Sequence, residues 1–288
     1  MMGILRWVAR LPLPLLHAVG IVVGWIVYAF SPRFRRYHSG NLLQAGYAGA
    51  ALRRKAVGET GKAALELPAI WLLPHAQSAA LVREIIGWEL IERAMAEGRG
   101  LVLLTPHLGC WEVSAQYFSL RYPFTVLYSP PKLDSLDDLM RAGRDRATMK
   151  SVPADLAGVR SLYRALQHGE AIGILPDQVP GGGEGKWTEF FSRPAYTMTL
   201  AMRMARARHA PVLIAFAERL PRGAGYRIHV EPLPAAAPGE SPERNMNRSL
   251  EALIRGCPEQ YLWSYNRYKV PAGVSAPGAN TLAVNASA

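Results

Sequence analysis

Short continuous runs of apolar residues, separated by longer helix-like stretches, limit the folds open to this 288-residue chain. An apolar run without polar alternation is typical of a strand buried on both faces, and strands joined by helices form a mainly parallel sheet. We therefore predict an α/β fold with a mixed, mainly parallel sheet flanked by helices. The predicted strands are residues 100–105, 124–128, 171–175 and 211–217, and the predicted helices are residues 111–120, 134–147, 156–167 and 196–208. Residues 226–231 alternate in polarity, which predicts an antiparallel edge strand.

An apolar segment at residues 11–30 contains no Asp, Glu, Lys or Arg. A helix that crosses a membrane core of about 30 Å needs roughly 20 residues, so this segment is long enough. Arg33, Arg35 and Arg36 follow it, and this basic flank favours a cytoplasmic position for the rest of the chain. We expect residues 1–38 to form a membrane anchor with its basic flank. A cleavable signal peptide and a buried or interfacial helix are the alternatives.

The remaining chain divides by composition. Residues 39–81 are rich in Ala, Leu and basic side chains at helical spacing, which predicts a helical segment leading into an α/β domain at residues 82–270. Residues 271–288 contain too few large apolar side chains to pack, so a disordered tail is predicted.

The charge balance indicates an anionic partner but does not identify which kind. The net charge is +11 although only 19% of the residues are charged, so an anionic partner is expected. Nucleic acid, an anionic membrane face, an acidic carrier protein and a phosphorylated lipid all meet this condition. The two cysteines are too few for a disulfide framework and lack metal-ligand spacing, which favours a reducing, cytoplasmic setting.

His107 follows the apolar run at residues 100–105 after Pro106, and Glu112 lies in the first turn of the next predicted helix. Ligands bind at the carboxyl edge of a parallel sheet, and Pro106 and Gly109 indicate a tight turn there. A carboxylate that accepts one ring N–H leaves the other nitrogen free to take a proton from a hydroxyl, which can then attack a thioester. The alternative is that Glu112 only stabilises the helix N-terminus while His107 packs under the sheet.

Other side chains are weaker candidates. Asp177 follows the run at residues 171–175 and therefore lies at the same edge, although Asp is also common in turns. Arg144 is either part of a solvated basic helix face or a bidentate donor to phosphate. Lys132 is a third substrate-binding candidate, for which an ordinary loop lysine is the simpler interpretation. Cys110 has no separate base, so a nucleophilic role is not expected.

A glycine-rich stretch at residues 180–187 is predicted to form a flexible loop over the site. It fails the phosphate-loop pattern, because Pro180 stands where the first glycine is needed and Trp187 replaces Ser or Thr.

Together these motifs resemble the late acyltransferases of lipid A biosynthesis, the lauroyl and myristoyl transferase group of the lysophospholipid acyltransferase superfamily. The resemblance covers most of the chain. His107-Leu-Gly-Cys-Trp-Glu112 is similar to the family's His-x4-Asp/Glu motif, and Pro176-Asp177-Gln178 to its Pro-Asp-His/Gln motif. The most specific match is residues 257–269, which resemble the C-terminal Pro-Glu-Gln-Tyr/Trp-x-Trp signature.

This resemblance implies an inner-membrane enzyme with a cytoplasmic catalytic domain. It would move an acyl chain from an acyl carrier protein thioester to a hydroxyl of a lipid A precursor, with no cofactor and no metal. His107 would be the general base and Glu112 its orienting partner, with Arg144 and Asp177 near the phosphosugar or the catalytic pair.

Departures from the family pattern leave the head group open. Ser192, Ser129 and Tyr265-Asn266 stand where the family usually has Gly, Arg and His-Arg. Acylation of a lysophospholipid, an ornithine lipid or a glycolipid is one alternative, and a non-catalytic basic membrane-binding protein is another. Nucleic acid is not an expected partner, because no helix-turn-helix, zinc or aromatic RNA-binding signature occurs.

Overall fold

The computed structural model describes residues 8–130 and 134–278. Helical segments precede the sheet in the chain: α1 (Leu13–Phe30), α2 (Pro32–Gln44), α3 (Ala50–Leu72) and α4 (His75–Ala79). The strands and helices that follow are β1 (Val82–Ile86), α5 (Trp88–Ala96), β2 (Leu101–Leu104), α6 (Trp111–Phe118), β3 (Phe124–Tyr128), α7 (Asp134–Arg144), β4 (Met149–Pro153), α8 (Leu156–Gln167), β5 (Ala171–Ile174), β6 (Gly185–Phe190), β7 (Arg193–Met198), α9 (Leu200–Arg208), β8 (Val212–Arg219), β9 (Tyr226–Pro232) and α10 (Pro242–Gly256).

The main sheet confirms the predicted fold class. Its strand order is β1-β9-β8-β2-β5-β3-β4, and neighbouring strands are parallel except for the antiparallel pair β8–β9. Apolar residues of α8, α9 and α10 pack on one face of this sheet, whereas those of α5 and α6 pack on the other. Strands β2 and β5 are neighbours in the middle, so the residues that follow them lie side by side at the carboxyl edge.

Two sequence predictions need correction. The strand at residues 226–231 is antiparallel to β8 as expected, but β1 pairs with its other side, so it is not an edge strand. The short β1 carries charged residues and lacks the long apolar run that revealed the central strands. The helix predicted at residues 196–208 begins only at Leu200, because the residues before it belong to the hairpin β6–β7. Phe191 and Ser192, with φ of 47° and 58°, form its two-residue turn.

Helix α1 is apolar and packs along one side against α3. Leu16, His17, Gly20 and Gly24 are buried, whereas most other apolar residues of the helix are exposed. The two backbones come close together, because a Cβ on Gly61 of α3 would collide with the carbonyl of Gly20. By length and composition α1 can cross a membrane, and it is a candidate membrane anchor. Residues 279–288 of the predicted tail lie outside the described part of the chain.

Candidate active site

The turn at residues 106–110 carries His107 from the end of β2 into α6. Gly109 has a φ of 62°, and a Cβ at this position would collide with the carbonyl oxygen of Ala217 in β8. A glycine is therefore required for both the backbone conformation and the close approach to β8.

We expect Gly109→Ala to destabilise the protein and to slow catalysis by displacing this turn. The left-handed conformation alone costs about 1–3 kcal/mol for a residue with a Cβ, and the collision with Ala217 adds to it. Gly98→Ala is a matched control, because Gly98 has a φ of 67° but no atom within 4 Å of its added Cβ. Chemical denaturation and activity measurements of both variants test this expectation, which is contradicted if the two variants behave alike.

His107 is held by the carboxylate of Asp177, which follows β5. The ring Nδ1 lies 2.9 Å from Asp177 Oδ1, and the backbone N–H of His107 donates to Oδ2 at 3.0 Å. The carboxylate therefore fixes the ring with a proton on Nδ1 and leaves Nε2 as an acceptor. Burial alone would raise the pKa of Asp177, but the charge of His107 when its ring is protonated, together with the two hydrogen bonds from His107, holds the pKa below its usual value.

Glu112 is held elsewhere, so the expected hydrogen bond from the His107 ring to Glu112 is wrong. Its carboxylate accepts Arg144 Nε at 3.1 and 3.0 Å, a further bond from the Arg144 guanidinium, and Trp71 Nε1 at 3.0 Å. The side chain leaves the first turn of α6 towards α3 and α7, whereas the His107 ring follows the turn towards β5. Burial would raise the pKa of Glu112, yet the charge and hydrogen bonds of Arg144 lower it below its usual value.

The two other substrate-binding candidates are Arg144 and Lys132. Arg144 does not belong to a solvated basic face, since its side chain is largely buried and forms the ion pair with Glu112. Its guanidinium also lies over the Trp71 ring, 5.8 Å from the centroid. Lys132 lies outside the described residues.

A cavity of about 1150 Å³ opens beside His107. Trp111, Glu112, Arg144 and Gln178 line it near His107, and most of the remaining wall is apolar, including Leu127, Val159, Ile174, Met198 and Met204. Pro180, Gly181, Gly183 and Glu184 also line it, whereas the last residues of the predicted glycine-rich loop belong to β6. The cavity is large enough for a substrate with a long apolar part.

Two residues at this site were not singled out from the sequence. Gln178 places its amide nitrogen 3.1 Å from His107 Nε2, so it donates to the free ring nitrogen. Its position next to Asp177 in the Pro-Asp-Gln motif could have predicted that Gln178 lies at the site. Trp71 reaches Glu112 from α3, a contact that depends on how α3 packs against the sheet domain, and no local pattern reveals it.

A partly buried histidine paired with a buried carboxylate at the wall of a large, mostly apolar cavity is typical of an enzyme that acts on lipid-like substrates. Residues 1–270 match the family described as bacterial lipid A biosynthesis acyltransferase, and the chain belongs to this family. The predicted family membership and acyltransferase activity are thereby confirmed.

Named relatives agree with this assignment. The chain is 28% identical over 282 residues to the lipid A biosynthesis lauroyltransferase of Escherichia coli (strain K12), covering 94% of this chain and 91% of the relative. It is 26% identical over 284 residues to the lipid A biosynthesis palmitoleoyltransferase of the same organism, covering 96% and 92%. A lipid A biosynthesis acyltransferase of Haemophilus influenzae is 30% identical over 186 residues, covering 62% and 57%.

Proposed function

We propose that this protein transfers a fatty acyl chain from an acyl carrier protein thioester to a hydroxyl of a lipid A precursor. The activity takes place at the bacterial inner membrane, with the catalytic domain on the cytoplasmic side. The observation that carries the proposal is the contact between His107 Nδ1 and Asp177 at the wall of the apolar cavity.

His107 acts as the general base in this proposal, and Asp177 orients it. The acceptor hydroxyl takes the place of the Gln178 amide at Nε2 and gives its proton to that nitrogen. The oxygen attacks the thioester carbonyl carbon and forms a tetrahedral intermediate. When the intermediate collapses, the carbon–sulfur bond breaks, and the leaving thiolate takes the proton back from Nε2.

Glu112 has an electrostatic part in this mechanism. Its carboxylate stays ionised beside Arg144, and its charge interacts with His107 although the two side chains form no hydrogen bond. It therefore stabilises the imidazolium that forms during proton transfer, together with Asp177 at Nδ1. Arg144 keeps Glu112 in place, and substrate phosphate binding is not needed to explain its position.

The substrate assignment rests on the relatives and on two features of the chain. The relatives are named for lipid A biosynthesis, and helix α1 leaves Leu15, Val22, Ile26 and Phe30 exposed for contact with lipid. The net charge of +11 suits an acidic carrier protein as well as an anionic membrane face.

Incubation of the purified protein in membranes with acyl carrier protein thioesters tests the acceptor. Three acceptors are offered in parallel: a tetra-acylated lipid A precursor, a lysophospholipid and an ornithine lipid. The masses of the products are measured by mass spectrometry. We expect only the lipid A precursor to gain one acyl chain. A gain on another lipid would contradict the acceptor but keep the acyl transfer.

Asp177→Asn is expected to lower kcat by about 10²- to 10⁴-fold. An amide in this position either turns its NH2 towards the His107 backbone N–H or faces Nδ1 and forces the proton onto Nε2. The first arrangement sets two donors against each other and displaces the turn that carries His107, and the second removes the free base that faces the cavity. Steady-state rates measure the effect, and Asp145→Asn is the control. Asp145 also accepts a backbone N–H, from Ser151, but it is exposed whereas Asp177 is buried. Equal rates for the wild type and Asp177→Asn would contradict the assigned role.

A further inference from the structure

The C-terminal segment at residues 257–263 is the most distinctive motif of the chain, and the mechanism above does not use it. This segment runs along the turn that carries His107. Leu262 donates its backbone N–H to the His107 carbonyl at 3.0 Å, and Gly109 donates its N–H to the Gln260 carbonyl at 3.1 Å. Leu108 and Tyr261 form an antiparallel bridge between these two bonds. The turn is thus paired on one side like a short strand.

Strand β8 holds the other side of the same turn. The N–H of Cys110 donates to the Ala217 carbonyl at 2.8 Å, and the guanidinium of Arg219 donates to the Gly109 carbonyl at 2.7 Å. The turn therefore lies between β8 and residues 257–263.

The Gln260 side chain joins these two supports. Its Oε1 accepts the backbone N–H of Arg219 at 2.7 Å, and its Nε2 donates to the Arg219 carbonyl at 3.1 Å. The amide thus pairs with Arg219 as a neighbouring strand would, while the backbone of Gln260 holds Gly109. Gln260 is buried, so water replaces neither bond easily.

Arg219 is fixed in turn by buried partners. Its Nε lies 2.9 and 3.0 Å from the two carboxylate oxygens of Glu66, and Glu66 also accepts from the Tyr226 hydroxyl at 3.0 Å. His17 of α1 lies 3.3 Å from the same carboxylate. The support for the catalytic turn thus extends to the candidate membrane anchor.

We propose that Gln260 and Arg219 are positioning residues, which hold the turn at residues 106–110 so that His107 faces the acceptor hydroxyl. This inference rests on the proposed role of His107 as the general base. Among the residues that the structure describes, neither Gln260 nor Arg219 belongs to the cavity wall. They therefore act through the backbone of the turn and not by contact with substrate.

Gln260→Met tests this role, because methionine keeps the length and approximate volume but removes both side-chain hydrogen bonds. We expect kcat to fall about 10- to 100-fold, since a displacement of about 1 Å in a catalytic group has an effect of this size. KM is expected to stay within about twofold, because the cavity wall is unchanged.

Asn245→Leu is the matched control. Buried Asn245 in α10 also forms two side-chain hydrogen bonds, to the Pro234 carbonyl and from Arg248, both at a distance from the His107 turn. This variant is expected to keep the wild-type kcat. The inference is overturned if Gln260→Met keeps the wild-type kcat, if only KM changes, or if Asn245→Leu loses as much kcat.

A second readout separates this inference from the proposed function. If the wild type acylates no acceptor, or if His107→Ala remains fully active, the proposed function fails. The positioning role is then read from the low-field NMR signal of the Nδ1 proton between His107 and Asp177, assigned among the seven histidines by its absence in His107→Ala. We expect Gln260→Met to shift or broaden this signal and Asn245→Leu to keep it. An unchanged signal in Gln260→Met overturns the inference.

Discussion

Replacement of His107 by alanine is expected to slow acyl transfer by about 10²- to 10⁴-fold, the range that a positioned general base contributes. Glu112 also lines the cavity, but its ion pair with Arg144 lowers its pKa and makes it a poor proton acceptor. Asp177 cannot replace His107 as the base either, because it is buried behind the His107 ring.

His168→Ala is the control for this prediction. His168 is exposed after the last turn of α8, and its side chain has no hydrogen-bond partner within the described residues. Initial rates are measured with both variants at the same protein level in membranes. A His107→Ala enzyme with the wild-type rate would contradict the assignment of the general base.

The second large effect is expected for Glu66→Gln, which should lower the free energy of unfolding by about 3–5 kcal/mol at neutral pH. The substitution keeps the shape of the side chain but removes the main countercharge of the buried Arg219 guanidinium, whose other carboxylate partner, Glu59, lies 3.5 Å away. Breaking one partner of a buried ion pair is costly because the remaining charge stays desolvated.

The pH dependence of this effect follows from the pKa of Glu66. Burial alone would raise it, but the Arg219 charge and the hydrogen bonds from His17 and Arg219 lower it from 4.5 to about 2. A depressed carboxyl pKa gives stability that is fully present above about 4.5 and is lost as the pH falls towards 2. The difference in free energy of unfolding between the wild type and Glu66→Gln should therefore become smaller as the pH falls from about 4.5 towards 2.

Denaturant unfolding of the detergent-solubilised protein at several pH values measures both quantities. Glu84→Gln is the control, since Glu84 pairs with Arg227 at an exposed site and surface pairs contribute little. We expect this control to unfold like the wild type. A Glu66→Gln variant as stable as the wild type at neutral pH, or a difference that grows in acid, would contradict the account of the buried pair.

The central part of the fold could be predicted because its strands carry continuous apolar runs. β2 and β5 both have this pattern, and the residues that follow them, His107 and Asp177, were correctly placed at one edge of the sheet. β1 and the hairpin β6–β7 were missed, since they are short or carry polar and charged residues. Their pairing depends on neighbouring strands and not on a local signal.

The partner of His107 was harder to predict than its position. The spacing of His107 and Glu112 suggested a direct pair, but closeness in sequence does not determine which way two side chains point from a turn. The order β2–β5 brings Asp177 to His107, and the packing of α3 and α7 brings Trp71 and Arg144 to Glu112. Sheet order and helix packing are tertiary properties, and neither is encoded in the spacing of one motif.

Direct acyl transfer without an acyl-enzyme is the central claim, and mass spectrometry of a quenched single-turnover reaction tests it most directly. The protein, an acyl carrier protein thioester and a tetra-acylated lipid A precursor are mixed, and the masses of lipid, carrier and protein are followed together. We predict that the lipid gains one acyl chain as the carrier loses it, that the mass of the protein stays unchanged, and that His107→Ala slows the exchange. A lipid that gains no chain, or a protein that itself carries the acyl group during turnover, would contradict the account.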